Sequence, residues 1–125
     1  MWRPTTSIDY AIKILICLSK RRGILSSALL SSHVGTSSRY TLHICSKLKD
    51  AGLITVIHGT NGGFMLKKAP EDISLLEVAL AAGQNIEFHF AECTSHAFTK
   101  LYDFHEQQVS ALLSKFERTT IADLL

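Results

Sequence analysis

The chain has 125 residues, 46% hydrophobic and 19% charged, a balance that describes one globular unit with a core and excludes a disordered chain. No run approaches the roughly 20 apolar residues of a bilayer span, and residues 12–18, interrupted by Lys13, lack a signal-peptide plan, so a cytoplasmic protein with no membrane partner is expected. The net charge of +2 hides a partition: residues 1–70 carry ten Lys and Arg against two Asp, a net +8, and residues 71–125 carry three against nine acidic residues, a net −6. This predicts a basic module, 1–70, that meets a polyanion, and an acidic module, 71–125, with another task.

A first helix is expected over residues 7–20, because Ile8, Ala11, Ile12, Leu15 and Leu18 recur at helical spacing behind a Thr6/Asp9 capping-box pattern. Lys20-Arg21-Arg22 suits its C-terminus and Gly23 ends it. A short second helix follows over 27–34, stopped by Gly35, and a third over 37–51 with Gly52 at its C-cap. The period then switches to two. Residues 53–57 read as a strand, 58–63 as a turn and 64–67 as the return strand, with Asn61-Gly62-Gly63 supplying the positive φ angles of a hairpin. Pro70 closes the unit, Ser74 and Glu77 open a helix that Gly83 ends, and residues 84–94 show no clean period. Residues 95–118 are helical again, and Thr120 with Asp123 caps a last apolar turn. The expected fold is therefore mostly α with a small β-hairpin wing: a winged helix-turn-helix followed by a long C-terminal dimerisation helix. In that order of elements the third helix enters the DNA major groove and the hairpin reaches the backbone or minor groove.

Placing residues 37–51 at 100° intervals puts Thr41, Ile44, Cys45 and Leu48 on a buried face, with Ser37 and Ala51 at its margins. Arg39, His43, Ser46 and Asp50 face outward, with Lys47 at the shoulder. Arg39 can bond a guanine edge bidentately, and His43 and Ser46 can reach bases or phosphates. Lys47 and Lys49 are read as phosphate neutralisers, which set affinity and register but not sequence.

Gly35-x-Ser37-x-x-Tyr40, then Ser46-Lys47-Leu48-Lys49-x-Ala51-Gly52-Leu53-Ile54, then Gly59-x-x-Gly62-Gly63-Phe64-x-Leu66 closely resemble the core of a bacterial regulator family, that of IscR, NsrR and CymR. Arg3-x-Thr5-Thr6 with Tyr10-Ala11, the segment Ile73-x-Leu75-Leu76-Glu77-Val78 and the final Thr120-Ile121-Ala122-Asp123-Leu124 extend the resemblance over nearly the whole chain. It implies a homodimeric transcription factor, expected to be a repressor, whose partner is a double-stranded DNA operator. It also implies Arg3, Thr5, Tyr40, His43 and the wing residues His58, Thr60 and Asn61 as DNA-facing positions, beside Ser37, Arg39, Ser46 and Lys47. Two positions depart from relatives: many carry Arg where His58 stands, and some place a polar base-reading residue where Leu42 stands.

Cluster-binding members of that family use three closely spaced cysteines ahead of the dimerisation helix. Here only Cys93 lies in that stretch, while Cys17 and Cys45 fall mid-helix on core faces, and an iron–sulfur cluster needs about four ligands. The odd cysteine count at wide spacing fits a reducing compartment. The resemblance thus points to the cluster-free subgroup, with no cofactor and no metal expected. His89, Cys93 and His96, with His105 further on, are zinc-type ligands without a fourth partner at fixed spacing. Cys93 is the candidate sensor if the chain responds to oxidants, its alternative being an ordinary unreactive thiol. Phe88, Phe90 and Phe98 could line a pocket for a small effector or simply cover a junction.

Phe98, Leu101, His105, Val109, Leu112 and Phe116 fall at steps of three or four, with Leu113 widening the stripe. Such a stripe is expected to bury against a second copy of the chain, giving the operator two half-sites about 34 Å apart or a multiple of it; packing back onto its own winged helix is the alternative. There is no phosphate-binding Gly-rich loop before a helix, no His-Glu-x-x-His and no nucleophile elbow, so no enzymatic activity is expected. A winged helix can also dock a protein partner, but the +8 over residues 1–70 favours DNA.

Overall fold

The computed structural model describes residues 6–83 and 96–125. Helices α1 (Thr6–Arg21), α2 (Ser27–Val34) and α3 (Ser38–Asp50) are followed by strands β1 (Ile54–Ile57) and β2 (Gly63–Leu66), then by helices α4 (Leu75–Ala81) and α5 (Thr99–Arg118). Single 3-10 turns occupy Pro70–Asp72, His96–Phe98 and Ala122–Leu124. Arg3, Thr5, Phe88, His89, Phe90 and Cys93 lie outside the described residues.

α1 is the central post. Ile8, Ala11, Ile14, Leu15 and Leu18 are all buried, the apolar stripe that its spacing demands. Thr6 is already helical, so the expected cap is displaced by at least one residue, and the Asp9 carboxylate instead accepts from Lys13 Nζ at 2.9 Å one turn on. The helix leaves through Arg22, at φ +37°, ahead of Gly23.

α2 and α3 meet through a buried polar contact. Ser26 caps α2 by accepting from Leu29 N at 3.2 Å, and Ser37 caps α3 by accepting from Tyr40 N at 3.1 Å. Gly35 takes the left-handed conformation, φ +77°, that turns the chain between them. Inside that corner the Ser31 hydroxyl donates to Thr41 Oγ1 at 2.9 Å, and Thr41 Oγ1 donates to the Ser37 carbonyl at 3.0 Å. Both residues are buried, so these bonds satisfy groups that would otherwise be stranded and fix the angle between the helices.

β1 and β2 pair antiparallel, Ile54 opposite Leu66 and Ile57 opposite Gly63, leaving residues 58–62 as the loop. The loop is built differently from the expected Asn-Gly turn. Gly62 N donates to the Gly59 carbonyl at 3.1 Å, so Thr60 and Asn61 are the central residues, and positive φ falls at Gly59, +112°, and, of the three residues expected to supply it, at Gly63 alone, +159°. Gly62 and Gly63 are required for space: a Cβ on Gly62 would lie 2.1 Å from the Ile57 carbonyl oxygen, and one on Gly63 2.3 Å from that of Leu25. The second of these marks a contact with no trace in the sequence pattern. Leu25 exchanges backbone hydrogen bonds with Phe64, at 2.9 and 2.8 Å, and ties the wing to the corner between α1 and α2.

The core is continuous across residue 70. Ile73, Val78, Ala79, Ala82, Phe116 and Ile121 are buried in the same cluster as α1 and α3. The chain end is stitched to the start of α4, with Leu75 N donating to the Thr119 carbonyl at 2.8 Å and Ile121 N to that of Ile73 at 2.9 Å. Thr120 N and Asp123 N bond reciprocally to the Asp123 and Thr120 side chains, a capping box in full. This docking corrects the apolar stripe of α5. Phe116 is only 9% exposed within the single chain, and Leu112 and Leu113 pack against the same core. The uncovered part of the stripe is its beginning, where Phe98 and Leu101 are exposed and His105 and Val109 half-buried; Phe104, which is not counted in the stripe, is exposed as well. No helix among the described residues is long and apolar enough to cross a membrane.

Candidate nucleic-acid interface

α3 buries Thr41, Ile44, Cys45 and Leu48 and turns Arg39, Leu42, His43, Ser46, Lys49 and Asp50 to solvent. Its first turn is braced from behind by α1. Tyr40 is half-buried with its ring edge-on to Tyr10, centroids 5.5 Å apart, and the His43 ring lies 6.2 Å from that of Tyr40. Lys13, held by Asp9, sits over the ring of Tyr10, 5.4 Å from its centroid. This row holds the α3 N-terminus against α1. In front of it Ser37, Arg39, Tyr40 and His43 line an open hollow of about 350 Å³. Four of the residues selected from sequence thus converge on one feature. Ser37 contributes mainly its cap, since its hydroxyl already accepts from Tyr40 N.

Arg39 and Lys49 have no carboxylate partner among the described ion pairs, whereas Lys13 pairs with Asp9 and Lys68 with Glu77 at 2.8 Å. Lys47, read from sequence as a phosphate neutraliser, is half-buried and also makes a contact within the chain. Its Nζ donates to the Ala82 carbonyl at 3.3 Å, at the C-terminal end of α4, where an ammonium also suits the helix dipole. At the wing, His58, Thr60 and Asn61 are all exposed. Sequence reading passed over one contributor, Tyr10, whose bracing contact needs tertiary structure to be seen, and it left Leu42, which is exposed, off the outward face.

Of the two described thiols, Cys45 is buried and Cys17 half-buried. Burial pushes Cys45 up to about 12 and raises Cys17 as well, with Arg21 and Lys20 opposing the shift at Cys17.

The Rrf2 family model, described as an iron-dependent transcriptional regulator, matches residues 4–125. The chain is 28% identical over 131 residues to the HTH-type transcriptional regulator NsrR of Halalkalibacterium halodurans, a match covering 97% of this chain and 88% of that protein. Its fold is similar to that of CymR, the global cysteine regulator of B. subtilis, with a TM-score of 0.85 at 25% identity, covering 99% of this chain and 96% of that one. T. potens IscR shares the fold, with a TM-score of 0.79 at 19% identity over 98% of this chain and 85% of the other. Among the described residues no three His, Cys, Asp or Glu side chains come together as metal ligands, and Cys45 is sealed in the core with its thiol protonated. The described donors do not fit an iron site.

Proposed function

This chain belongs to the Rrf2 family of transcriptional regulators, and on that premise we propose that it is a homodimeric, sequence-specific DNA-binding repressor of a bacterial cytoplasm that works without an iron–sulfur cluster. The observation that carries the reading is the outward face of α3. Arg39 and His43 flank a hollow with Ser37 and Tyr40, on a helix braced by Tyr10, inside a segment of net charge +8. A helix presented this way reads base edges in the major groove, while the exposed wing tip, His58, Thr60 and Asn61, reaches the flanking backbone or minor groove. Arg3 and Thr5 are assigned to the same partner on the family resemblance. The second copy is assigned to the uncovered start of α5, where Phe98, Leu101 and Phe104 form an apolar patch.

The cluster-free assignment rests on donor chemistry. With Cys17 and Cys45 in the packed body of the molecule, Cys93 is the sole remaining thiol, too few for a cluster in one chain. The test of the reading is a titration of a fluorescent random-sequence duplex at rising KCl. Affinity should fall steeply, by about 0.9 in log–log slope for each phosphate neutralised. Binding that is absent at low salt, or indifferent to salt, contradicts a DNA-binding function.

A further inference from the structure

The outward face of α3 carries one large apolar side chain. Leu42 is 48% exposed, one turn beyond Arg39, beside His43 and one turn before Ser46. A single exposed leucine on an ordinary surface helix requires no explanation. Here its surroundings are specific. The core side of α3 is already filled by Thr41, Ile44, Cys45 and Leu48, and Leu42 is no part of the core. Its neighbours on the exposed face are polar or cationic: Arg39, His43, Ser46 and Lys49. An apolar partner protein would have to desolvate that ring of polar groups to reach one leucine. A polyanion with an apolar group set among hydrogen-bonding edges matches both parts at once.

We propose that Leu42 is a specificity-determining residue that reads thymine, its side chain seated against the 5-methyl group in the major groove. The inference rests on the DNA-binding reading of α3. Thymine is the base that shows an apolar group on that edge; the others show only donors and acceptors apart from ring carbons. Leu42 selects in two ways. Contact with the methyl group removes apolar surface from water on both partners. Placed against the cytosine amino group or the guanine O6, the same side chain would strip water from a polar atom and offer it no hydrogen bond. Because Arg39 lies one turn earlier on the same face, its guanine and the thymine of Leu42 fall close together within one half-site.

The experiment uses the full chain and duplexes enriched by it from a random-sequence pool. Each thymine of an enriched duplex is replaced singly by deoxyuridine, which lacks only the methyl group, and affinities are measured for the wild type, Leu42→Ala and Leu42→Met. At one thymine in each half-site the loss of the methyl should weaken the wild type about fourfold, the worth of one buried methyl or methylene group. The same replacement should leave Leu42→Ala unchanged, and Leu42→Met, which keeps apolar reach, should stay sensitive. Since Leu42 is exposed, all three proteins should show the same circular dichroism and melting temperature. If every thymine-to-deoxyuridine replacement affects the wild type and Leu42→Ala alike, Leu42 does not read thymine although α3 still binds DNA. If the wild type enriches no sequence, the DNA reading fails and takes this inference with it.

Discussion

Lys47 on α3 and Ala82 at the end of α4 are joined by a hydrogen bond, Nζ to carbonyl oxygen, of 3.3 Å. The contact crosses from the basic to the acidic part of the chain and docks α3 against α4. Its ammonium is half-buried and directed into the protein, so it should count little toward phosphate neutralisation. Lys47→Met is expected to lower the unfolding free energy by about 1 kcal/mol, while leaving the salt slope of DNA binding unchanged. Lys49→Met, at an exposed position, should reduce that slope by about 0.9 and cost no stability. Anisotropy titrations over a range of KCl, with urea denaturation of the same variants, separate the two lysines; a reduced slope in Lys47→Met would return that residue to the phosphate backbone.

The corner between α2 and α3 offers a second test. Thr41→Val keeps shape but deletes the hydroxyl that accepts from Ser31 and donates to the Ser37 carbonyl. A loss of about 1–2 kcal/mol is expected in urea titration, with Ser31→Ala and Thr41→Val together costing less than the sum of the two. Strict additivity would mean that the two hydroxyls act separately and do not jointly pin the corner.

How much of this was legible in the sequence depends on the range of the interaction. α2 runs from Ser27 to Val34 as its serine cap and Gly35 dictate, and the buried face of α3 follows from spacing alone. These are local effects, written within a few residues of where they act. The Leu25–Phe64 bridge, the docking of Ile121 on Ile73 and the Tyr10–Tyr40 brace join residues far apart in sequence, and none leaves a periodic trace. The α5 stripe fell between these cases. Its period was plain, but a helical stripe does not say which partner each part meets, and Phe116, Leu112 and Leu113 meet their own chain. Of the candidate site, α3 and the wing could be placed from sequence, whereas the engagement of Lys47 required α4 to be packed beside it.

The division of α5 makes opposite predictions for its two ends. Phe104→Glu puts a charge into the proposed seam and should yield folded monomers by sedimentation velocity, with weakened DNA binding and an unchanged circular dichroism spectrum. Phe116→Ala should instead destabilise the chain itself by about 3–5 kcal/mol, because the ring leaves a cavity in the core. A Phe104→Glu protein that remains a tight dimer would show that the copy docks elsewhere.

Cys45 supplies a pH-dependent expectation. Burial holds its thiol up to about 12 in the folded chain, against an ordinary value of 9.0 that the unfolded chain recovers. Between those values the unfolded state has lost the proton and the folded state has kept it, so stability falls as pH rises above about 9, by up to about 1.4 kcal/mol per pH unit. Cys45→Ala should flatten that decline relative to wild type. In the folded protein at pH 8, maleimide labelling followed by mass spectrometry should leave Cys45 unmodified, and labelling in urea should reach it. Ready modification of Cys45 in the native protein would place it at an accessible surface.

The central claim, that α3 and the wing read a DNA sequence, is tested most directly by selecting bound molecules from a random duplex pool with the wild type and Arg39→Ala in parallel. The wild type should enrich a two-fold symmetric motif whose half-sites are centred about 34 Å apart or a multiple of that. Arg39→Ala should still retain duplex at low salt but enrich a degraded motif, having lost a guanine contact while keeping its phosphate contacts. Retention of duplex with no enrichment over the starting pool by the wild type, or an identical motif from both proteins, would contradict the assignment of α3 as the reading helix.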